Sequence, residues 1–373
     1  MGLPSIVSEV DEDTARKSGV SIGDELLVEQ MTAAVLYGKQ DVRIEQVGIP
    51  EMGDQDVLLK VKVALTCGTD AKVYHRGYHA RMIVPPSIFG HELAGEIAAV
   101  GPGVTGFEPG MRVVAANSAP CGSCFYCKGH QENLCEQLMF INGAYAQYIA
   151  IPGQIVSQNL LPIPDHVSYR DAALVEPLAC VLHGLEETRV QRGDTVAVVG
   201  SGPIGLMFIA MAKLRGARVI AVGRRSNRLD AARRMGADVV IDAAAVDDVV
   251  EAVRAETDEQ RGADRVVEAV GQPYSWEQAI RMSRPGGVIN AFGGCPSKTQ
   301  IHLDTGLIHY SELTIKGTFH HKPKFIKLAL RLIADRAIDV GTLVTAEAPL
   351  AQLPRVLDAM LGKNGAMKTA ILP

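Results

Sequence analysis

Four of the seven cysteines in this 373-residue chain fall within residues 121–135. The spacing Cys121-Gly-Ser-Cys124-Phe-Tyr-Cys127, with Cys135 beyond it, puts four thiolate donors on one loop, a set that suits tetrahedral zinc. Four protein ligands leave no open position, so a structural rather than a catalytic metal is expected there. An iron–sulfur cluster is the rival use of four thiolates, and a run of free buried cysteines is the bland one. Clustering of this kind, in a chain without a secretory leader, favours metal over disulfides.

A second motif could hold phosphate. Gly200-Ser-Gly202-Pro203-Ile204-Gly205 follows the apolar run Thr195–Val199 and opens an apolar stretch from 203 to about 215. Gly200 permits the tight turn, Gly202 lets the backbone approach a pyrophosphate, and Gly205 allows close helix–strand packing. The helix that follows would aim its N-terminal N–H groups at the anion, and Pro203 suits its first turn. Where an NAD enzyme places a carboxylate, about 20 residues beyond the glycines, this chain has Gly223-Arg224-Arg225-Ser226. Two guanidinium groups match a 2′-phosphate. NADP is therefore favoured over NAD, the alternative being a solvated basic turn.

Three further segments are bland when taken singly. Cys67-Gly-Thr69-Asp70 follows an apolar strand, Gly90-His91-Glu92 lies in a glycine-rich run, and Glu176-Pro177-Leu178 precedes the nucleotide-type turn. A lone cysteine is usually buried and inert, a lone histidine is usually a satisfied polar group, and a glutamate before proline can simply start a helix.

The surrounding texture shows what must position these groups. From 32 to about 151, short apolar runs such as Ala33-Ala34-Val35-Leu36 alternate with glycine and proline turns, which predicts an antiparallel β domain. Beyond 195, strand-like segments (218–222, 238–241, 265–269, 287–291) alternate with helix-like ones (227–235, 246–256, 274–282), which predicts a parallel sheet covered by helices. Helices over 324–335 and 350–361 and a strand over 367–372 follow. The fold class is α/β. The net charge of -5 and the hydrophobic share of 47% exclude a basic nucleic-acid binder. No apolar run reaches the length of a membrane span, and residues 1–30, with acidic residues scattered through them (Glu9, Asp11, Glu12, Asp13) and no apolar core, are not expected to form a signal peptide. A cytoplasmic protein is expected, with residues 1–30 as a tail or an arm on a neighbouring subunit.

In this order, Cys-Gly-Thr-Asp, Gly-His-Glu, the four-cysteine loop, Glu-Pro-Leu and Gly-x-Gly-x-x-Gly, the chain resembles the zinc-containing medium-chain dehydrogenases from about residue 32 to the end. Glu-Pro-Leu is similar to the sorbitol and polyol branch. The resemblance implies a GroES-like catalytic domain (31–182 and 319–373) and a Rossmann nucleotide domain (183–318), with the active site in the cleft between them. It implies a catalytic zinc at Cys67 and His91, with Glu176 as third ligand or as holder of the zinc-bound water, and Glu92 ligating or standing just behind. Asp70 would orient the histidine and Thr69 would relay the alcohol proton. Val270, Phe292, Gly293 and Phe319 are expected beside the cofactor, with Gly200, Gly202, Pro203, Ile204, Gly205, Arg224 and Arg225. Two zinc ions, NADP or NAD, a small alcohol or ketone substrate and a homo-oligomer, tetramer or dimer, follow from the same resemblance.

Two departures stand out. Where the family often ends its proton relay with a histidine, this chain has Lys72; that lysine, His75 or water would serve. After Ile315-Lys-Gly-Thr-Phe319, the sorbitol-type Arg-Tyr is replaced by His320-His321, which points to a different substrate or else to a polar surface loop. Cys180 and Cys295 read as packing residues. The reading is reversible oxidation of a secondary alcohol of a polyol or sugar-like molecule. Its rivals are a threonine-type amino-alcohol dehydrogenase, a zinc-free quinone reductase and a non-catalytic protein recruited from the fold.

Overall fold

A computed structural model describes residues 29–78, 83–362 and 365–373; the expected N-terminal extension falls almost wholly outside them. Two sheets organise the chain. The first has the strand order Leu160–Pro162, Arg112–Ala115, Glu92–Val100, Val57–Leu65, Thr369–Leu372, Ala346–Pro349, with Tyr148–Ile151 also pairing on Val57–Leu65. It is antiparallel except for its last pair. Val57–Leu65 is central and mostly buried, which its run of valine and leucine dictates. A three-stranded sheet built on Gln30–Gly38 packs beside it.

The second sheet is parallel and six-stranded, in the order Val239–Asp242, Arg218–Gly223, Thr195–Val199, Ala263–Glu268, Ser283–Ala291, Thr314–Gly317. Thr195–Val199 pairs in parallel on both sides, so its apolar run is buried, as a central strand of a helix-covered sheet must be. The order of connection reverses between Thr195–Val199 and Ala263–Glu268. A crevice for a ligand opens at the carboxyl ends of the strands at such a switch point.

The helix Val175–Thr188 is buried along most of its length and belongs to one core with Val63, Leu65 and Ala94 of the first sheet and Val196, Val198 and Val267 of the second. It also crosses the expected boundary at 182/183 without a break. Elsewhere the ends of elements differ from expectation for local reasons. The helix expected from 246 starts at Val249, because the Asp248 carboxylate accepts from the N–H groups of Val250 (2.7 Å) and Glu251 (3.3 Å) and caps it there. The stretch expected as one helix from 350 begins as the tight turn Leu350–Gln352 and becomes α-helical at Leu353–Leu361, with Pro354 in the first turn.

Candidate active site between the two sheets

A cavity of about 1180 Å³ lies between the sheets and is lined from both sides, by Cys67, Thr69, His91 and Glu176 among others and by Gly202, Pro203 and Ile204. Cys67 is the N-cap of the helix Gly68–Arg76. The N–H of Thr69 points at its Sγ (3.5 Å), and its own N–H donates to Asp70 Oδ2 (2.8 Å). Glycine at 90, with φ +90, turns the chain so that His91 follows into the cavity. One donor atom each of Cys67, His91 and Glu92 lie within 4.8 Å of one another.

These groups have a charged frame. His91 Nδ1 lies 3.3 Å from Asp70 Oδ1, and Asp70 Oδ2 accepts from the hydroxyl of buried Tyr145 (2.7 Å). Burial opposes charge on Asp70, but His91, Tyr145 and the Cys67 N–H outweigh it and its pKa is lowered. Burial likewise opposes the His91 cation, and the Asp70 charge overrides it, raising that pKa. Glu92 is fully buried. One oxygen is paired with the Lys368 ammonium, which also donates to the Thr66 carbonyl (3.0 Å), while Oε1 has no hydrogen-bond partner among the described residues. Lys368, 276 residues away from Glu92, has no counterpart among the expected site residues.

Glu176 sits in the first turn of Val175–Thr188 and is buried. Burial pushes its pKa up to about 7. One donor atom each of Glu176, His320 and His321 also fall within 4.8 Å of one another. The surface-loop alternative for His320 and His321 does not hold. His321 is 3% exposed, with Nε2 3.1 Å from Asn117 Oδ1, and His320 Nε2 is 2.5 Å from Ser118 Oγ. Burial lowers both pKa values, that of His320 to about 3, so both rings are neutral. The His320 carbonyl accepts from or faces His183 Nδ1 at 2.7 Å. Cys180 is more than packing: it lines the cavity, and its Sγ donates to Glu176 Oε1 (3.6 Å). Cys295 lines the cavity too. Lys72 also lines it, its ammonium donating to the Gly294 carbonyl (3.3 Å), whereas His75 is exposed in the last turn of its helix and is absent from the lining.

The four sulfurs of Cys121, Cys124, Cys127 and Cys135 lie within 4.8 Å of one another. The sulfur–sulfur separations are 3.9 Å (121–127), 3.5 Å (124–127) and 3.9 Å (124–135). Tetrahedral thiolates about a zinc ion stand about 3.8 Å apart. N–H groups of Ser123 and Cys124 lower the Cys121 pKa to about 6, while burial raises that of Cys127 to about 12.

At the nucleotide-type turn, Gly200 has φ +113, and a Cβ on Gly205 would fall 1.7 Å from the Gly200 carbonyl oxygen, whereas one on Gly202 would meet nothing within 4 Å. The turn is therefore closed on its inner side and open on the side a ligand would approach. Val270, Phe292, Gly293 and Phe319 all line the main cavity. Arg224 and Arg225 are exposed beside an adjoining cavity of about 340 Å³. Arg228, which the sequence reading did not single out, lines both cavities and is half-buried; burial and the neighbouring Arg225 lower its pKa. The buried Glu268 carboxylate shapes the opposite lip by accepting from the N–H groups of Val270 (2.8 Å) and Gly271 (2.9 Å).

Residues 53–165 match the family model of the alcohol dehydrogenase GroES-like domain and residues 203–335 that of the zinc-binding dehydrogenases. A sorbitol dehydrogenase of Bacillus subtilis (strain 168) is 35% identical, over 92% of this chain and 98% of that one. The chain belongs to the zinc-containing alcohol dehydrogenases. Among solved structures, an alcohol dehydrogenase from Thermus sp. ATN1 superposes on this dehydrogenase with a TM-score of 0.83 at 31% identity, covering 92% of this chain and 99% of that one. A zinc-binding dehydrogenase from Sinorhizobium meliloti 1021, solved bound to NADP, gives 0.84 at 30% identity, with the same coverage. Among the described residues of this dehydrogenase, no helix is long and apolar enough to cross a membrane.

Proposed function

We propose that this dehydrogenase oxidises a secondary alcohol of a polyol or sugar-like substrate to the ketone, reversibly, with NADP favoured over NAD. The observation that carries the reading is convergence: Cys67, His91 and Glu176 reach one cavity whose other wall is the open face of the glycine turn. The sorbitol dehydrogenase relationship supports the substrate class.

The donor set fits a zinc ion. A thiolate, an imidazole and a carboxylate form a mixed set with room for one more oxygen, and all three side chains line the same cavity. In this reading Cys67, His91 and Glu176 hold the catalytic zinc, and Lys368 holds Glu92 just behind it. The four-cysteine loop holds the structural zinc. When bound, the catalytic zinc supplies Lewis acidity to the alcohol oxygen, and the nicotinamide supplies the hydride acceptor. The chain's residues do the rest. Asp70 fixes the ring orientation of His91. The Thr69 hydroxyl, on the cavity wall, would accept the alcohol proton as it gives up its own, with Lys72 lining the same cavity. Neutral His320, held by Ser118, offers a polar wall to substrate hydroxyls where the sorbitol-type pattern has arginine. Gly200, Gly202, Pro203, Ile204 and Gly205 seat the pyrophosphate, and Val270, Phe292, Gly293 and Phe319 line the cofactor's path. Arg224, Arg225 and Arg228 face the 2′-phosphate, a reading supported by the NADP-bound relative. Residues 31–182 and 319–373 form the catalytic half and 183–318 the nucleotide half, and the chain forms a dimer or tetramer.

The test is an absorbance screen of polyols, sugars and amino alcohols with NADP and NAD in parallel, on protein of known zinc content. Turnover of a polyol, lost on chelation, is expected. Turnover of amino alcohols alone would overturn the substrate class, and turnover undiminished by complete zinc removal would overturn the mechanism.

A further inference from the structure

The support of His91 does not end at Asp70. Tyr145 has no exposed surface, and its hydroxyl donates to Asp70 Oδ2 at 2.7 Å while lying 3.3 Å from the Leu65 carbonyl. Asp70 Oδ1 is the oxygen facing His91 Nδ1. The two carboxylate oxygens are thus divided: one faces the imidazole, and the other is fixed by Tyr145 and by the Cys67 N–H at 2.8 Å. The same tyrosine touches the ligand's backbone from a second direction. Its ring lies so close to Gly90, the residue before His91, that a Cβ there would come within 2.7 Å of it. Phe89 packs edge-on against that ring at 5.0 Å. The Tyr145 N–H donates to the Phe89 carbonyl (3.0 Å), and the Gly143 and Ala144 N–H groups donate to the Gly90 carbonyl (3.0 and 3.1 Å).

We propose that Tyr145 is a positioning residue for the catalytic metal: its hydroxyl locks Asp70, which locks the His91 ring, while its aromatic face fixes the Gly90 turn from which His91 projects. The inference rests on the zinc reading given under Proposed function. A rigid carboxylate holds the imidazole in one tautomer and one orientation, so the ligand is already aimed when the ion arrives. Partners that orient ligands in this way are worth about 10- to 100-fold in metal affinity. Without the Tyr145 hydroxyl, Asp70 Oδ2 keeps only the Cys67 N–H, and the carboxylate and the imidazole it faces are held less rigidly.

Tyr145→Phe keeps the ring against Gly90 and Phe89 and removes only the hydroxyl. The readout is zinc transfer from the purified holoenzyme to a chromogenic chelator, with Cys67→Ser identifying the phase that belongs to the four-cysteine loop. The expected result is that Tyr145→Phe releases the Cys67/His91 zinc about tenfold faster, leaves the four-cysteine phase unchanged and retains a cooperative unfolding transition. Tyr148→Phe, at a tyrosine outside this network, should match the unmodified protein. Asp70→Asn should accelerate release as well, and Tyr145→Phe should then add nothing to it, since both act through one carboxylate. Release at the unmodified rate in Tyr145→Phe, or effects that simply add in the double variant, would overturn the inference and leave the function standing. A parent protein that holds zinc only in the four-cysteine loop would instead overturn the reading beneath it, and this inference with it.

Discussion

Cys67 serves at once as helix cap and as candidate ligand, so its replacement separates two roles. Cys67→Ser retains a capping oxygen but loses the soft donor; on the proposed reading it should abolish turnover and lower the zinc content by one ion per chain, as elemental analysis would read. Arg228 offers a second test. A charge-assisted hydrogen bond contributes about 1.5–3 kcal/mol, so Arg228→Ala should reduce kcat/KM with NADP by about ten- to a hundredfold and barely alter it with NAD; equal losses would remove Arg228 from the phosphate site. At this scale, local spacing made the four cysteines and the glycine turn legible in the sequence, whereas Cys67 and His91, bland when taken singly, were reached only through the resemblance to a family. Lys368, Tyr145 and Arg228 were reached by neither. Lys368 meets Glu92 across 276 residues and Tyr145 meets Asp70 across 75, and a lysine or tyrosine brought in from such distances leaves no pattern around it. His320 and His321 were visible as a departure, but their polar partners, Asn117 and Ser118, stand 204 and 202 residues away in the chain.

Among the elements, the glycine turn is the most constrained. Because a Cβ on Gly205 would overlap the Gly200 carbonyl oxygen, Gly205→Ala should push the helix Pro203–Leu214 off its strand. The expected cost is about 1–3 kcal/mol of stability together with loss of cofactor binding, measurable by denaturant unfolding and by fluorescence titration; unchanged cofactor affinity would mean the helix can shift freely. The alternation of strand and helix in the second half was readable because buried parallel strands are continuous apolar runs. Harder to read was Val175–Thr188, whose Pro177 and Gly184 suggest a break. The proline is tolerated because it lies in the first turn, where its missing N–H costs nothing, and Gly184 is needed because a side chain there would strike Phe208 at 2.6 Å. The resulting rod places Glu176 and His183 on the cavity wall.

Across the whole molecule, the four-cysteine loop is tied to the substrate wall. Asn133 Nδ2 donates to the Phe319 carbonyl (3.1 Å), and Lys322 Nζ to the His130 carbonyl (2.9 Å), on either side of His320-His321. Loss of the metal proposed for the four cysteines should therefore be felt in the proposed active site. Cys127→Ser is expected to lower the thermal midpoint and to raise KM for the alcohol more than it lowers kcat, a split that steady-state kinetics would resolve; an unaltered KM would show that the loop and the wall are independent. The pairing of Lys368 with Glu92, and of the strand Thr369–Leu372 with Val57–Leu65, has a consequence for order of assembly. As the polypeptide leaves the ribosome, the cysteine loop has all its sulfurs within 15 residues and could capture the ion proposed for it early. The other centre lacks its floor and its counter-cation until the segment around 368 has emerged, so it can be completed only when synthesis of that segment is over.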